Sequence, residues 1–139
     1  MASARTLVEK TIVPIRSDRD IVTAREQGRG VALLLGFSPT EVTLIATAIS
    51  ELARNIVLYA GTGEMVLGLV EESKKRGMVI VARDEGPGIA DVRRAVVDGY
   101  STSGGLGLGL PGVRRLMDEF DISSELGKGT TVTIRKWKR

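Results

Sequence analysis

Asp84-Glu85-Gly86-Pro87-Gly88 closes one apolar run, and Gly105-Leu106-Gly107-Leu108-Gly109 opens a helical pattern further along the chain. Asp84 follows Met78-Val79-Ile80-Val81-Ala82, a run that predicts a central strand covered by helices. A carboxylate at such a strand end can accept a hydrogen bond from an exocyclic amine such as that of adenine. Gly86 and Gly88 let the chain turn closely around a planar ring, and Pro87 stiffens the turn. In the second stretch, residues without a Cβ let backbone N–H groups approach phosphate oxygens at a helix start. Ser101 and Thr102 add hydroxyls to its flank, and the loop is expected to close over a nucleotide as a lid. Each stretch also has a plainer reading, an acidic turn for Asp84 to Gly88 and a flexible linker for the glycine cluster. A linker leaves the alternation of Leu106, Leu108 and Leu110 unexplained.

The chain has 139 residues, enough for a single domain over residues 1–139. Aromatic residues are scarce, so the core must rest on Val, Ile and Leu. The net charge of +3 owes much to Arg135, Lys136, Lys138 and Arg139, which read as a solvated terminus or a contact for an acidic protein partner. Such a tail lacks the interleaved aromatics of a stacking surface, which argues against nucleic acid. Nothing in the chain reads as a membrane span or an apolar leader, so a cytoplasmic location is expected. Cysteine is absent, which excludes a disulfide framework and a thiolate site. Histidine is absent too, so the chain has no imidazole base and cannot phosphorylate itself on histidine.

Thr11-Ile12-Val13, closed by Pro14, predicts an edge strand within Thr6 to Ile15. Ser17 or Asp18 can cap a following helix, in which Ile21, Val22, Ala24, Val31, Leu34 and Leu35 recur at helical spacing. Gly28 and Gly30 weaken that helix unless they mark close packing against another. Ser38-Pro39-Thr40-Glu41 reads as a capping box with proline at the first helical position. A long helix is expected to about Leu58, with Val42, Ile45, Ile49, Leu52 and Ile56 inward. Gly63 to Glu72 and Met78 to Asp84 read as strands around a charged hairpin, Ser73 to Gly77. A short helix is expected over Asp91 to Val97, and a longer one over Leu108 to Phe120. A terminal hairpin, Asp121 to Glu125 and Thr130 to Trp137, turns around Leu126 to Gly129. This order implies a two-layer α/β sandwich with a mixed sheet and helices on one face.

Glu51 and Asn55 stand one helical turn apart and share a face of the long helix. An amide oxygen suits a hard cation such as Mg²⁺. A carboxylate one turn away can orient or deprotonate a hydroxyl beside a terminal phosphate. The alternative is a surface pair of Glu51 with Arg54, although Arg54 reads as pointing toward solvent or the helix rim. The Thr130 hydroxyl can complete base recognition, or Thr130 simply starts a strand.

These motifs resemble those of the GHKL ATP-binding superfamily, which includes DNA gyrase B, MutL and the kinase domains of sensor histidine kinases. Glu51-Leu52-Ala53-Arg54-Asn55 resembles its N box, Asp84 to Gly88 its first glycine box and Gly105 to Gly109 its second. Gly127-Lys128-Gly129-Thr130 resembles its closing glycine-threonine element. The likeness is greatest to the small serine/threonine switch kinases of the bacterial stressosome, and it covers nearly all the chain after Val13. It implies a Bergerat-type fold with a mainly antiparallel sheet, binding ATP and Mg²⁺. It further implies that Glu51 is the catalytic carboxylate, that Asn55 holds Mg²⁺ and that Asp84 reads adenine. Gly105, Gly107 and Gly109 would then serve the phosphates. Implied partners are STAS-domain proteins of the RsbS and RsbR kinds, as phosphate acceptors, and a PP2C-type phosphatase of the RsbU kind, activated by binding. An anti-sigma kinase that sequesters a sigma factor is the alternative within the same superfamily, and a simple ATPase is a third.

Overall fold

The computed structural model describes residues 6–89 and 109–138. Its elements in chain order are β1 (Thr6–Ile15), α1 (Asp18–Leu35), α2 (Pro39–Asn55) and a π-helical turn (Ile56–Ala60). They continue with β2 (Gly63–Glu72), β3 (Lys75–Asp84), α3 (Gly109–Leu116), β4 (Glu119–Glu125) and β5 (Gly129–Trp137). The strands form a five-stranded sheet in the order β1-β2-β3-β5-β4, and all of its ladders are antiparallel. The helix expected over Asp91 to Val97 lies outside the described residues.

Strand alternation decides what the sheet buries. Met65 and Leu67 of β2, Met78, Ile80 and Ala82 of β3, and Val132 and Ile134 of β5 turn to the helix layer and join the core. Val70, Val79 and Trp137 turn the other way and form a smaller cluster there. β3 is therefore apolar on both sides, as a central strand must be. Pro14 sits on the edge strand β1, where its missing N–H costs no ladder bond.

α2 lies on this sheet through the expected stripe. Val42, Ile45, Ile49, Leu52 and Ile56 are all buried, and each such side chain contributes roughly 1.5–3 kcal/mol by leaving water. Its start is fixed reciprocally: the Glu41 N–H donates to Ser38 Oγ, and the Ser38 N–H donates to Glu41 Oε1, both at 3.2 Å. The stretch Pro39–Ala60 is long and apolar enough, at mean hydropathy 1.3, to cross a bilayer by composition alone. The sequence reading saw no such run. Here the apolarity is spent on the core, between α1, α3 and the sheet.

α1 departs from expectation on one face. Ile21, Ala24, Gly28, Ala32 and Leu35 form its buried stripe, whereas Val22 and Leu34 point to solvent, Leu34 being 87% exposed. The small residues at positions 24, 28 and 32 let α1 lie close on α2. A Cβ at Gly28 would collide with the δ-methyl of Ile49 and touch Met78 Cε at 3.8 Å. Gly30 has no neighbour in that direction, so the close-packing reading holds for Gly28 alone. α1 ends where expected, with Gly36 in the left-handed region at φ +85°.

Other boundaries shift by short distances. The β2–β3 turn is tighter than expected, since Glu72 already pairs with Lys75. α3 stops at Leu116, and Phe120 belongs to β4, its side chain packed against the core from the sheet. The basic end of the chain is mostly strand. Arg135, Lys136 and Trp137 lie in β5. The Lys136 ammonium donates to the Leu116 carbonyl at 3.3 Å, and the Trp137 indole N–H donates to Glu119 Oε2 at 2.6 Å.

Candidate functional site

α2 carries the first group. Glu51 is buried at 7% exposure, an uncommon place for a carboxylate unless it is partnered. Its Oε1 accepts from Arg54 Nη1 at 2.6 Å, and its Oε2 accepts from the Gly109 N–H at 3.3 Å. Arg54 therefore stays partly exposed at the helix rim while its guanidinium pairs with Glu51, the pairing that stood as the alternative in the sequence, although Glu51 itself is buried. The spacing of three residues contained that signal, because i and i+3 side chains are neighbours on a helix. Gly109 is the first residue of α3 and the last of the second glycine cluster. Glu51 thus faces the point where that cluster enters its helix.

Asn55 is half-buried and lies one turn from Glu51, as the spacing required. It is the last residue of α2 before the π-helical turn, which Gly61 closes by donating its N–H to the Ile56 carbonyl at 2.8 Å. Such a turn shifts the helix register, and these turns recur at functional sites. The sequence reading ran an ordinary helix through it. The turn also seats the site. The Ile56 side chain packs over Gly63, and Ala60 abuts Gly86, where a Cβ would come within 2.6 Å of Ala60 Cβ.

β3 carries the second group. Asp84 lies on the helix side of the sheet, two residues beyond Ala82. It pairs in register with Gly63 on one side and with Thr130 on the other. Its Oδ1 accepts from the Gly86 N–H at 2.9 Å, which fixes the carboxylate in the mouth of its own turn. The close approaches at Gly86 and Gly88 are to protein, namely Ala60 and the Glu125 carbonyl, with Gly88 at φ +79°. These glycines let the turn seat against the helix end and the last hairpin. A second tie runs from the Gly127 N–H to the Pro87 carbonyl at 2.9 Å.

Thr130 brings in a residue that the sequence reading missed. Ser124 pairs with Thr130 across the terminal hairpin, and their hydroxyls lie 2.8 Å apart. Ser124 Oγ also accepts from the Ile89 N–H at 2.7 Å and lies 3.1 Å from the Gly129 carbonyl. It therefore links the end of the first glycine box to the closing element. The three-residue loop Leu126–Lys128 sets this pairing, so the register was the available signal. Asp84, Thr130 and Ser124 share a face across β3, β5 and β4. Of the remaining expected site residues, Ser101, Thr102, Gly105, Leu106, Gly107 and Leu108 lie outside the described residues.

The oxygen donors fit a magnesium ion held together with phosphates. Asn55 offers a neutral amide oxygen, and the described residues hold no cluster of three or more His, Cys, Asp or Glu side chains that could cage a metal alone. Mg²⁺ commonly takes one or two protein oxygens and completes its shell with phosphate and water. A hollow at the same end of the sheet, lined by Ile12, Pro14, Glu64, Arg83 and Thr131 among others, opens on the uncovered face and includes neither Glu51 nor Asn55.

Comparison with known proteins identifies the family. Residues 40–139 match the family described as histidine kinase-, DNA gyrase B-, and HSP90-like ATPase. The chain is 53% identical over 131 residues to the serine/threonine-protein kinase RsbT of Bacillus subtilis (strain 168), covering 94% of this chain and 98% of that one. It is 34% identical over 113 residues to the anti-sigma F factor of Geobacillus stearothermophilus, covering 76% and 77% of the two chains. The solved structure of the RsbU and RsbW domains of a Mycobacterium tuberculosis protein superposes with a TM-score of 0.66 at 18% identity, covering 95% of this chain and 34% of that one. The chain belongs to the GHKL ATPase superfamily, with its Bergerat-type fold, and within it to the serine/threonine kinases of stress-response partner switching.

Proposed function

We propose that this kinase transfers the γ-phosphate of ATP to a serine or threonine hydroxyl of a STAS-domain partner, with Glu51 as the carboxylate that receives the hydroxyl proton. The observation that carries the reading is the position of Glu51, buried, one turn from Asn55 and 3.3 Å from the Gly109 N–H. In the transfer, the acceptor oxygen forms a bond to the γ-phosphorus as its proton passes to Glu51. The bond from that phosphorus to the β–γ bridging oxygen breaks, and ADP leaves with the electron pair. Mg²⁺, when bound, would supply charge neutralisation for the phosphates, and Asn55 is the residue that would hold it. Asp84 Oδ1 is held by its own turn, which leaves Oδ2 as the oxygen that would accept from the adenine amine. Thr130 sits beside Asp84 in the strand register and completes recognition of the base.

The partner assignment rests on the relative named as the serine/threonine-protein kinase RsbT, which aligns over nearly the full length of both chains. The acceptors are STAS proteins of the RsbS and RsbR kinds. The same chain binds and activates a PP2C-type phosphatase of the RsbU kind. A cytoplasmic location fits an ATP-consuming protein without cysteine. The second reading, an anti-sigma kinase that sequesters a sigma factor, draws on the relatives named anti-sigma F factor at 30–34% identity.

Incubation with γ-labelled ATP and purified STAS or sigma-factor candidates separates these readings. Label on a STAS serine or threonine supports the first. A stable sigma-factor complex supports the second, and release of free phosphate alone contradicts both.

A further inference from the structure

Arg54 is the charged side chain paired with Glu51 among the described residues, and the transfer described above gives it no part. Its Nη1 lies 2.6 Å from Glu51 Oε1, and its side chain is 42% exposed against 9% for Glu51. The other Glu51 oxygen accepts from the Gly109 N–H. A guanidinium on one side and a backbone amide at the end of a glycine cluster on the other are donors suited to a phosphoryl group. Here they hold a carboxylate, an anion of similar oxygen geometry. A helix-surface ion pair at this spacing is a common and weak feature. That plain reading does not account for a pair whose acid is buried and faces the phosphate end of the site.

We infer that Arg54 is a ligand of the transferred phosphate, exchanging its bond to Glu51 Oε1 for one to a terminal phosphoryl oxygen of ATP. The inference rests on the ATP-kinase reading and adds a residue to it. The exchange has two chemical consequences. A positive charge comes to bear on the phosphoryl oxygens where the charge of the transition state is spread. The Glu51 oxygen released by the guanidinium becomes free to accept the hydroxyl proton. Arginine suits both roles, because its planar fork carries five N–H donors and can span two anions. Arg54 and Asn55 follow Glu51 at i+3 and i+4, the two positions that neighbour it on the last turn of α2. The pair therefore divides the work, Asn55 toward the metal and Arg54 toward the terminal phosphate.

The test compares the unaltered protein with Arg54→Gln and Arg54→Lys. ATP and ADP affinities are measured by calorimetry in the presence of Mg²⁺, alongside transfer to the STAS acceptor and a thermal melt. For Arg54→Gln, ATP affinity is expected to fall at least about tenfold, the size of one charge-assisted hydrogen bond. ADP affinity should hold and transfer should fall, while the melting temperature should drop by a few degrees because the buried Glu51 loses one of its two partners. Arg54→Lys, which keeps the charge and loses the fork, should recover part of the preference for ATP over ADP. An Arg54→Gln protein with its ATP preference intact overturns the assignment, as does one that transfers phosphate as fast as or faster than the unaltered chain. The latter result would make Arg54 a restraint on Glu51. Failure of the unaltered protein to bind ATP overturns the kinase reading itself, and the inference with it.

Discussion

Glu51 is worth the cost of its burial only if it is partnered where it stands. Arg54 and the Gly109 N–H supply those partners, so the side chain is held in one place before any acceptor arrives. Replacing it with glutamine keeps the shape and removes the basic oxygen. Glu51→Gln is expected to keep nucleotide affinity close to that of the unaltered chain, and to slow transfer by about 10²–10⁴-fold, the range of a positioned general base. Equal transfer rates would remove Glu51 from the chemistry. Asp84 is tested separately, at the base end. Asp84→Asn retains an oxygen for the Gly86 N–H, so the turn should keep its form. The loss of a charged acceptor should weaken adenine nucleotides by about tenfold or more, read by calorimetry against a guanine nucleotide as control. Unchanged ATP affinity would count against adenine reading by Asp84. At this scale the sequence was informative where the chemistry is local. The Glu51–Asn55 spacing specified a shared helix face, and the face is there. Ser124 stayed hidden because its partner is set by hairpin register, which spacing along the chain does not reveal.

The helices show what the fold requires of particular positions. α1 approaches α2 across Gly28, where a side chain would strike Ile49, while Gly30 faces open space. These two glycines read alike in the sequence and differ in the structure. Gly30→Ala should stabilise the protein by up to about 1 kcal/mol, a rise of roughly 4 °C in melting temperature, because alanine is the better helix former. Gly28→Leu should destabilise by about 1–3 kcal/mol through overpacking. Thermal melts of the two variants check both signs, and a lower melting temperature for Gly30→Ala would contradict the packing described for α1. The misread members of the α1 stripe, Val22 and Leu34, have a related origin. Several apolar positions share a helical period there, and only contact with α2 selects those spaced by small residues. The π-helical turn after Asn55 has no pattern of its own in composition. It arises where the chain must leave the core helix and still seat Ala60 against Gly86.

The whole molecule brings the end of α2 and the terminal hairpin together at one end of one sheet. α2 carries Glu51, Arg54 and Asn55 up to a π-helical turn packed over Gly63 and Gly86, and the terminal hairpin meets Asp84 through Thr130, whose hydroxyl lies 2.8 Å from that of Ser124. The architecture was legible because the apolar runs of β2 and β3 are continuous and the capping box before α2 is unambiguous. The place of the basic chain end was not, since charged residues in a strand look like a solvated tail until β5 pairs with β3 and β4. The central claim is that this site moves phosphate from ATP to a hydroxyl on another protein, through Glu51. Its most direct test is incubation of the protein and of Glu51→Gln with γ-labelled ATP, Mg²⁺ and a STAS-domain partner, followed by identification of the labelled residue. The account predicts label on a partner serine or threonine with the unaltered chain, and little or none with Glu51→Gln. An unlabelled partner, or equal labelling by the two proteins, would contradict it.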